Sequence, residues 1–284
     1  MTTSDLSAAR PRRGLPAGVF GFWPLVTVAV LLIIGALLLL PVVNIIGLSL
    51  SGGTKDGDLL DHYRKFFGER FYYQTLINSL WVSCSAMAFA VVLGVPAAYF
   101  VNRYDIWGKG FIRAAVVLTF VSPPFIGSYS WVVLFGRSGI ATQLFADLGI
   151  SLPTIYGAQG IIFVFTLQFF PFVFLLVSSG FKAIDQSVED AARNLGSSEF
   201  RTFRTVIAPL LVPSITTGAL LVFIASFTDL GTPIILGEKF RVLPVLIYGE
   251  FVNEFGGRPV LASSLSVVLL AVTADRGCTV WAER

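Results

Sequence analysis

The chain has 284 residues, of which 55% are hydrophobic and 13% charged, with a mean hydropathy of +0.79. Soluble domains carry about 25% charged residues, so this composition excludes a water-facing globule, and the long apolar runs are read as segments that face a lipid bilayer. A net charge of +3, one histidine (His62) and two distant cysteines, Cys84 and Cys278, argue against a nucleic-acid partner, a disulfide framework, a metal cluster and histidine-based catalysis.

In chain order, residues 1–23 form a tail carrying Arg10, Arg12 and Arg13. The apolar run Pro24–Leu48 follows. It exceeds the roughly 7–15 residues of a signal-peptide core and no small-residue cleavage site follows, so it is expected to stay as the first transmembrane helix. The three arginines place the N-terminus in the cytoplasm, and residues 24–69 comprise this helix and an outside loop. Further spans are predicted at Leu76–Phe100, Ala114–Phe135, Gly157–Gly180, Leu210–Phe227 and Val260–Ala274. About six transmembrane helices therefore make an all-α integral membrane protein. Backbone groups in lipid must bond within their own segment, and the alternating pattern of a transmembrane barrel is not seen.

Three places interrupt this pattern. Ser122-Pro123-Pro124 lies inside the third span, and Gln168 and Pro171 lie inside the fourth. Such residues are either tolerated because neighbours satisfy the freed carbonyls, or they mark bent helices that line a pathway. The last run, Leu261–Ala274, covers roughly 21 Å at about 1.5 Å per residue, against a hydrocarbon core of about 30 Å. Asp275-Arg276-Gly277-Cys278 follows. The sixth helix is expected to be short or truncated, with residues 275–284 an atypical tail, or else to continue imperfectly through Cys278, Val280 and Trp281.

The segment 181–213 is too long and too patterned for a plain connection. Asp185, or Ser187, is a good N-cap. Val188, Ala191, Ala192 and Leu195 then share one helical face, and Glu189 and Asp190 sit in the first turn, where the helix dipole favours anions. Gly196 supplies a C′ glycine. Ser197 or Ser198 starts a second helix through Phe200, Phe203 and Val206-Ile207, which Pro209 is expected to close. Two short amphipathic helices joined at a glycine suggest a groove on a partner.

The run Glu189-Asp190-Ala191-Ala192-Arg193-Asn194-Leu195-Gly196, with Ile207-Ala208-Pro209 downstream, resembles the "EAA" loop of binding-protein-dependent ABC importer permeases. Asp190 stands where that pattern has Glu, with Glu189 just before it, and Ala208 stands where Leu is usual. The resemblance implies the ABC importer permease fold over residues 70–274, with 181–209 as the coupling loop. It implies that Glu189, Asp190, Ala191, Ala192, Gly196, Ile207 and Pro209 meet a separate ABC ATPase subunit, which binds ATP-Mg, while this chain holds no cofactor. It implies a second permease half of the same or homologous sequence, a periplasmic or lipid-anchored substrate-binding protein, and the bacterial inner membrane. Ser226–Pro233, with Leu236-Gly237 and Leu243–Tyr248, is similar to permeases for ferric iron, polyamines and 2-aminoethylphosphonate, with sulfate and molybdate permeases more distant. Ferric permeases of that branch are often two fused halves, so the chain is either the first half of such a fusion or a single-domain subunit. Asp229, at the outer end of the fifth span, is either a pathway residue or a solvated helix end.

Other classes fit less well. An ion-coupled secondary transporter would place ionisable groups near the midplane, and a membrane-embedded enzyme would need a nucleophile–base pair or metal ligands there. No Gly-x-x-x-x-Gly-Lys-Ser/Thr phosphate loop occurs, and Gly108-Lys109-Gly110 lacks the spacing, so any ATP hydrolysis belongs to another subunit.

Overall fold

The computed structural model describes residues 22–50, 61–105, 107–121, 123–252 and 258–282. The chain divides into two compact units, Met1–Gly47 and Leu48–Arg284. Helix α1 (Phe22–Leu50) dominates the first; it carries no charged side chain and tolerates Pro41 within it. At 29 residues it is about 43 Å long, enough to cross a bilayer.

The second unit is built of helices joined by turns and loops, with no strand among its described residues. It comprises α2 (Asp61–Gly68), α3 (Arg70–Arg103), α4 (Lys109–Val121), α5 (Pro124–Phe135), α6 (Ile140–Asp147), α7 (Ala158–Ala183), α8 (Gln186–Asn194), α9 (Glu199–Thr202), a π-helical turn Phe203–Ile207, α10 (Ala208–Thr228), α11 (Gly231–Leu236), α12 (Leu243–Val252) and α13 (Pro259–Ala282). Helices α1, α3, α7 and the stretch Glu199–Thr228 are each long and apolar enough to cross a membrane.

The core is the bundle of α3, α7 and α10. Lipid is as apolar as leucine, so membrane helices gain by close backbone approach, which small residues permit. Helix α3 meets that need with Ala86, Ala90, Gly94 and Ala98, at every fourth position along one face, and the three alanines are fully buried. Across from them lies Val173 of α7, itself fully buried. A Cβ added at Gly94 would lie 2.8 Å from the Val173 Cβ, and one added at Gly218 of α10 would lie 2.9 Å from the Val173 Cα. Val173 is thus held between two glycines on two different helices.

Polar contacts give the direction of the bundle. Near the end of α3, Asn102 Nδ2 donates to Ser178 Oγ near the end of α7 at 2.9 Å, and Arg113 of α4 donates to Asn102 Oδ1 at 3.1 Å. Helices α3 and α7 therefore run in the same direction. At the opposite end Asn78 Nδ2 donates to the Arg241 carbonyl at 2.9 Å, and Ser79 Oγ accepts from the Leu243 N–H at 2.8 Å. A second buried cluster of Phe66, Tyr72, Leu243, Leu246, Leu261 and Leu265 covers this second end, hereafter the mouth end; the end near Gly196 is the loop end.

The structure corrects the sequence reading in two places and, for the last helix, decides between the two courses the sequence left open. The third span is not one helix: Pro123 caps α5 and Pro124 opens it, because proline lacks an N–H and turns the residue before it away from the α region. Pro209 does not close the second loop helix, since the chain passes through the π turn directly into α10. The widened turn, in which the Ala208 N–H reaches the Phe203 carbonyl, admits the proline without a helix end. The last helix is not short. It continues past Asp275, Arg276 and Gly277 to Ala282 for 24 residues, about 36 Å. One internal glycine costs only about 1 kcal/mol, too little to end a helix whose backbone has no other partner in lipid.

Candidate coupling site

The loop-end helix pair is built from local hydrogen bonds. Asp185 is the N-cap of α8: its Oδ1 accepts from the Ser187 N–H at 2.9 Å. At the other end Gly196 takes φ +79°, and the Ser197 N–H returns to the Ala192 carbonyl at 3.1 Å. That six-to-one bond is the Schellman closure. Ser198 caps α9, its hydroxyl accepting from the Arg201 N–H at 3.4 Å. The cap, the glycine and the second cap are where the sequence places them.

The pair is anchored on one side and bare on the other. Thr202 and Ile207 are buried. The Phe203 ring packs edge-on against Tyr99 at 4.9 Å, and Tyr99 also meets Phe181 at 5.8 Å. In contrast Val188 is 41% exposed, Phe200 75% and Leu195 88%. Asp190, Ala191, Gly196 and Pro209 are also exposed and Ala192 is half-buried. The side chain of Glu189 lies outside the described residues. Lys182, Arg201 and Arg204 are exposed in the same segment, beside the exposed Asp185, Asp190 and Glu199.

Hydrogen bonding from the Ser187 N–H holds the Asp185 carboxyl below the usual aspartate range. A folded value below the unfolded one stabilises the helix above an ordinary value of about 3.9, and this support is lost as pH falls through the lowered value. Amide hydrogen exchange at the start of α8 is therefore expected to accelerate in acid, beyond the chemical rate. Asp185→Asn, whose amide oxygen still accepts the bond, is expected to flatten that pH dependence. A flat profile in the unaltered chain would rule out the cap.

The other candidate residues are not gathered at this loop. Gln168 lies within α7 with its Oε1 buried and without a partner among the described residues. Pro123 is exposed at the break between α4 and α5, and the Pro124 side chain lies outside the described residues. Asp229 is half-buried and its Oδ2 accepts from the Thr232 N–H at 2.8 Å. The Thr232 hydroxyl in turn accepts from Ser128 Oγ of α5 at 2.8 Å. Asp229 shares a narrow crevice with Ser79, Ser83, Ser226 and Pro233. Sequence reasoning singled out neither Ser128 nor Thr232; two hydroxyls far apart in the chain give no local signal. Among the described residues no cluster of His, Cys, Asp and Glu could hold a metal.

The profile of a family described as "Binding-protein-dependent transport system inner membrane component" matches residues 90–280, from within α3 to within α13, and so includes the helix pair α8 and α9. The chain belongs to that family. This permease is 29% identical over 187 residues to the ferric transport system permease protein FbpB of Actinobacillus pleuropneumoniae, covering 65% of the chain and 27% of that protein. It is 26% identical over 200 residues to the molybdate/tungstate transport system permease protein WtpB of Pyrococcus abyssi, covering 70% of the chain and 73% of that protein. The chain spans 35% or less of the length of the ferric relatives it matches. Ferric and molybdate relatives therefore stand at similar identity, and the matches do not separate the solute classes as the sequence reading expected. Among solved structures, a bacterial alginate ABC transporter in complex with an alginate pentasaccharide-bound periplasmic protein superposes with a TM-score of 0.73 at 17% identity, covering 91% of this chain and 92% of that one. That likeness establishes the permease fold.

Proposed function

We propose that this chain is the membrane-spanning permease subunit of an ATP-driven importer that receives its solute from a binding protein. The observation that carries the reading is the bare apolar face of Val188, Leu195 and Phe200, displayed on a helix pair that caps and a glycine turn hold in shape. An amphipathic helix exposing such a face fits a groove on a partner, here a separate ATPase subunit that binds ATP-Mg. In this reading the loop end and the N-terminal tail with Arg10, Arg12 and Arg13 are cytoplasmic, and the mouth end faces outside the inner membrane. A second permease half completes the pathway. Its closed part is the crevice of Ser79, Ser83, Ser226 and Asp229, with the Pro123-Pro124 break as a hinge in its wall and Gln168 a polar point within α7. The solute is small, of the ferric, polyamine, aminophosphonate or molybdate kind.

Co-purification from native membranes tests this reading. The unaltered chain is expected to bring an ATPase subunit with it. The pair Leu195→Asp and Phe200→Asp is expected to reach the membrane in normal amount and to lose that subunit. An unaltered chain that isolates without any ATPase, or a double variant that retains it, would sink the proposal.

A further inference from the structure

At the mouth end a cavity of about 620 Å³ opens between the start of α3 and the turn before α12, lined by Arg70, Gln74, Asn78, Glu238, Lys239 and Arg241. The first three recur at every fourth position and so lie on one face of α3. The charges do not balance. The single carboxylate, Glu238, is bonded through Oε1 to Arg137 Nη2 at 2.7 Å, outside the cavity lining. Arg70, Lys239 and Arg241 form no ion pair among the described residues.

Two of the donors, Arg241 and Asn78, are also held in place. The Arg241 guanidinium lies over the Phe71 ring at 5.2 Å. Its backbone carbonyl accepts from Asn78, and two residues on the Leu243 N–H is tied to Ser79. On the other side the turn is closed by the Gly237 N–H to Pro233 carbonyl bond at 2.8 Å and the Phe240 N–H to Gly237 carbonyl bond at 2.7 Å. Within it Glu238 adopts φ +44°, a left-handed conformation that is uncommon for a residue with a Cβ and persists only where the surroundings impose it. Side chains already oriented lose less entropy on binding.

We propose that this pocket receives a small multivalent oxyanion at the outer mouth. Guanidinium and amide donors converging from two elements match oxygens that carry delocalised negative charge. Three cations around a cleft raise the local concentration of anions and repel a bare metal cation. The proposal rests on the importer reading for the direction of passage, whereas the occupant follows from the pocket itself.

Thiol labelling of the full chain in its own membrane tests it. Gln74→Cys, in a background of Cys84→Ser and Cys278→Ser, places a thiol in the pocket, and Ser151→Cys, on the exposed loop before α7, supplies a control. Two methanethiosulfonate reagents are compared, one bearing a sulfonate and one a trimethylammonium group. Normalised to the control position, the sulfonate reagent is expected to be favoured in the pocket by about tenfold or more. Millimolar sulfate or molybdate is expected to slow its reaction, and chloride at matched ionic strength is not. Protection by ferric citrate but not by citrate alone would equally support the pocket, and would identify an oxyanion that carries a metal. Lys239→Gln combined with Arg241→Gln is expected to remove both the preference and the protection. A normalised ratio near one, the absence of protection by any small anion, or protection by an added acidic protein alone would overturn the proposal. The labelling requires no ATPase, so its failure leaves the co-purification result standing, and loss of co-purification leaves the labelling readable.

Discussion

Gly94→Leu and Gly218→Leu each prevent the three-helix core from closing, with an expected loss of about 3 kcal/mol or more, at or above the usual range for overpacking. At Gly94 a Cβ alone would lie 2.8 Å and 2.9 Å from the Val173 side chain, and at Gly218 it would lie 2.9 Å from the Val173 Cα. Val173 cannot step away from one glycine without moving onto the other. The two sites differ in what is struck, a side chain at the first and backbone at the second. Val173→Gly, which removes the struck Cβ and Cγ1 but leaves the Cα, is therefore expected to rescue much of the damage of Gly94→Ala and little of that of Gly218→Ala. The coupling appears as non-additivity in a double-mutant cycle. Thermal unfolding of the detergent-solubilised chain, followed by tryptophan fluorescence, measures all of these variants. Equal rescue at both glycines would show that the helices separate rather than repack, contrary to the close approach described above.

Gly196→Val is expected to lower ATP-driven uptake at least tenfold while the chain reaches the membrane in normal amount. Nothing lies within 4 Å of a Cβ placed at this glycine, so the effect does not come from a clash. It comes from φ +79°, a left-handed conformation that costs an L-residue about 1–2 kcal/mol and is worse for a β-branched one. The turn would reopen, α8 and α9 would lose their relative angle, and the face formed by Val188, Leu195 and Phe200 would no longer present as one surface. Gly196→Asn, which tolerates this conformation, is expected to retain most of the uptake. Uptake measured beside membrane abundance separates coupling from folding. A valine variant that transports normally would show that the turn takes no part in coupling.

Four of the six expected spans, the first, second, fourth and fifth, were legible in the sequence as long apolar helices, because lipid leaves the backbone no alternative to internal hydrogen bonds. The loop was legible for a related reason. A cap at Asp185, a glycine closure at Gly196 and a cap at Ser198 are each settled within a few residues of chain, so their side chains announce them. The misreadings fall where two local signals compete. Pro209 and the Asp275-Arg276-Gly277 stretch both look like helix ends, yet a π turn absorbs the first and the helix runs through the second. Pro123-Pro124 is the converse, a breaker inside an apolar run that does divide the span.

Composition and local pattern thus determined by themselves that this chain is a helical membrane protein with a capped helix pair that turns at a glycine. Only the tertiary structure decided that Val173 is pinched between Gly94 and Gly218, that Ser128 reaches Thr232 beside Asp229, and that Arg70 shares a cavity with Lys239 and Arg241. The reason is physical. Helix formation and capping depend on neighbours within about one turn, whereas contacts between residues on different helices, far apart in the chain, depend on how whole helices approach each other, which no short stretch of sequence encodes.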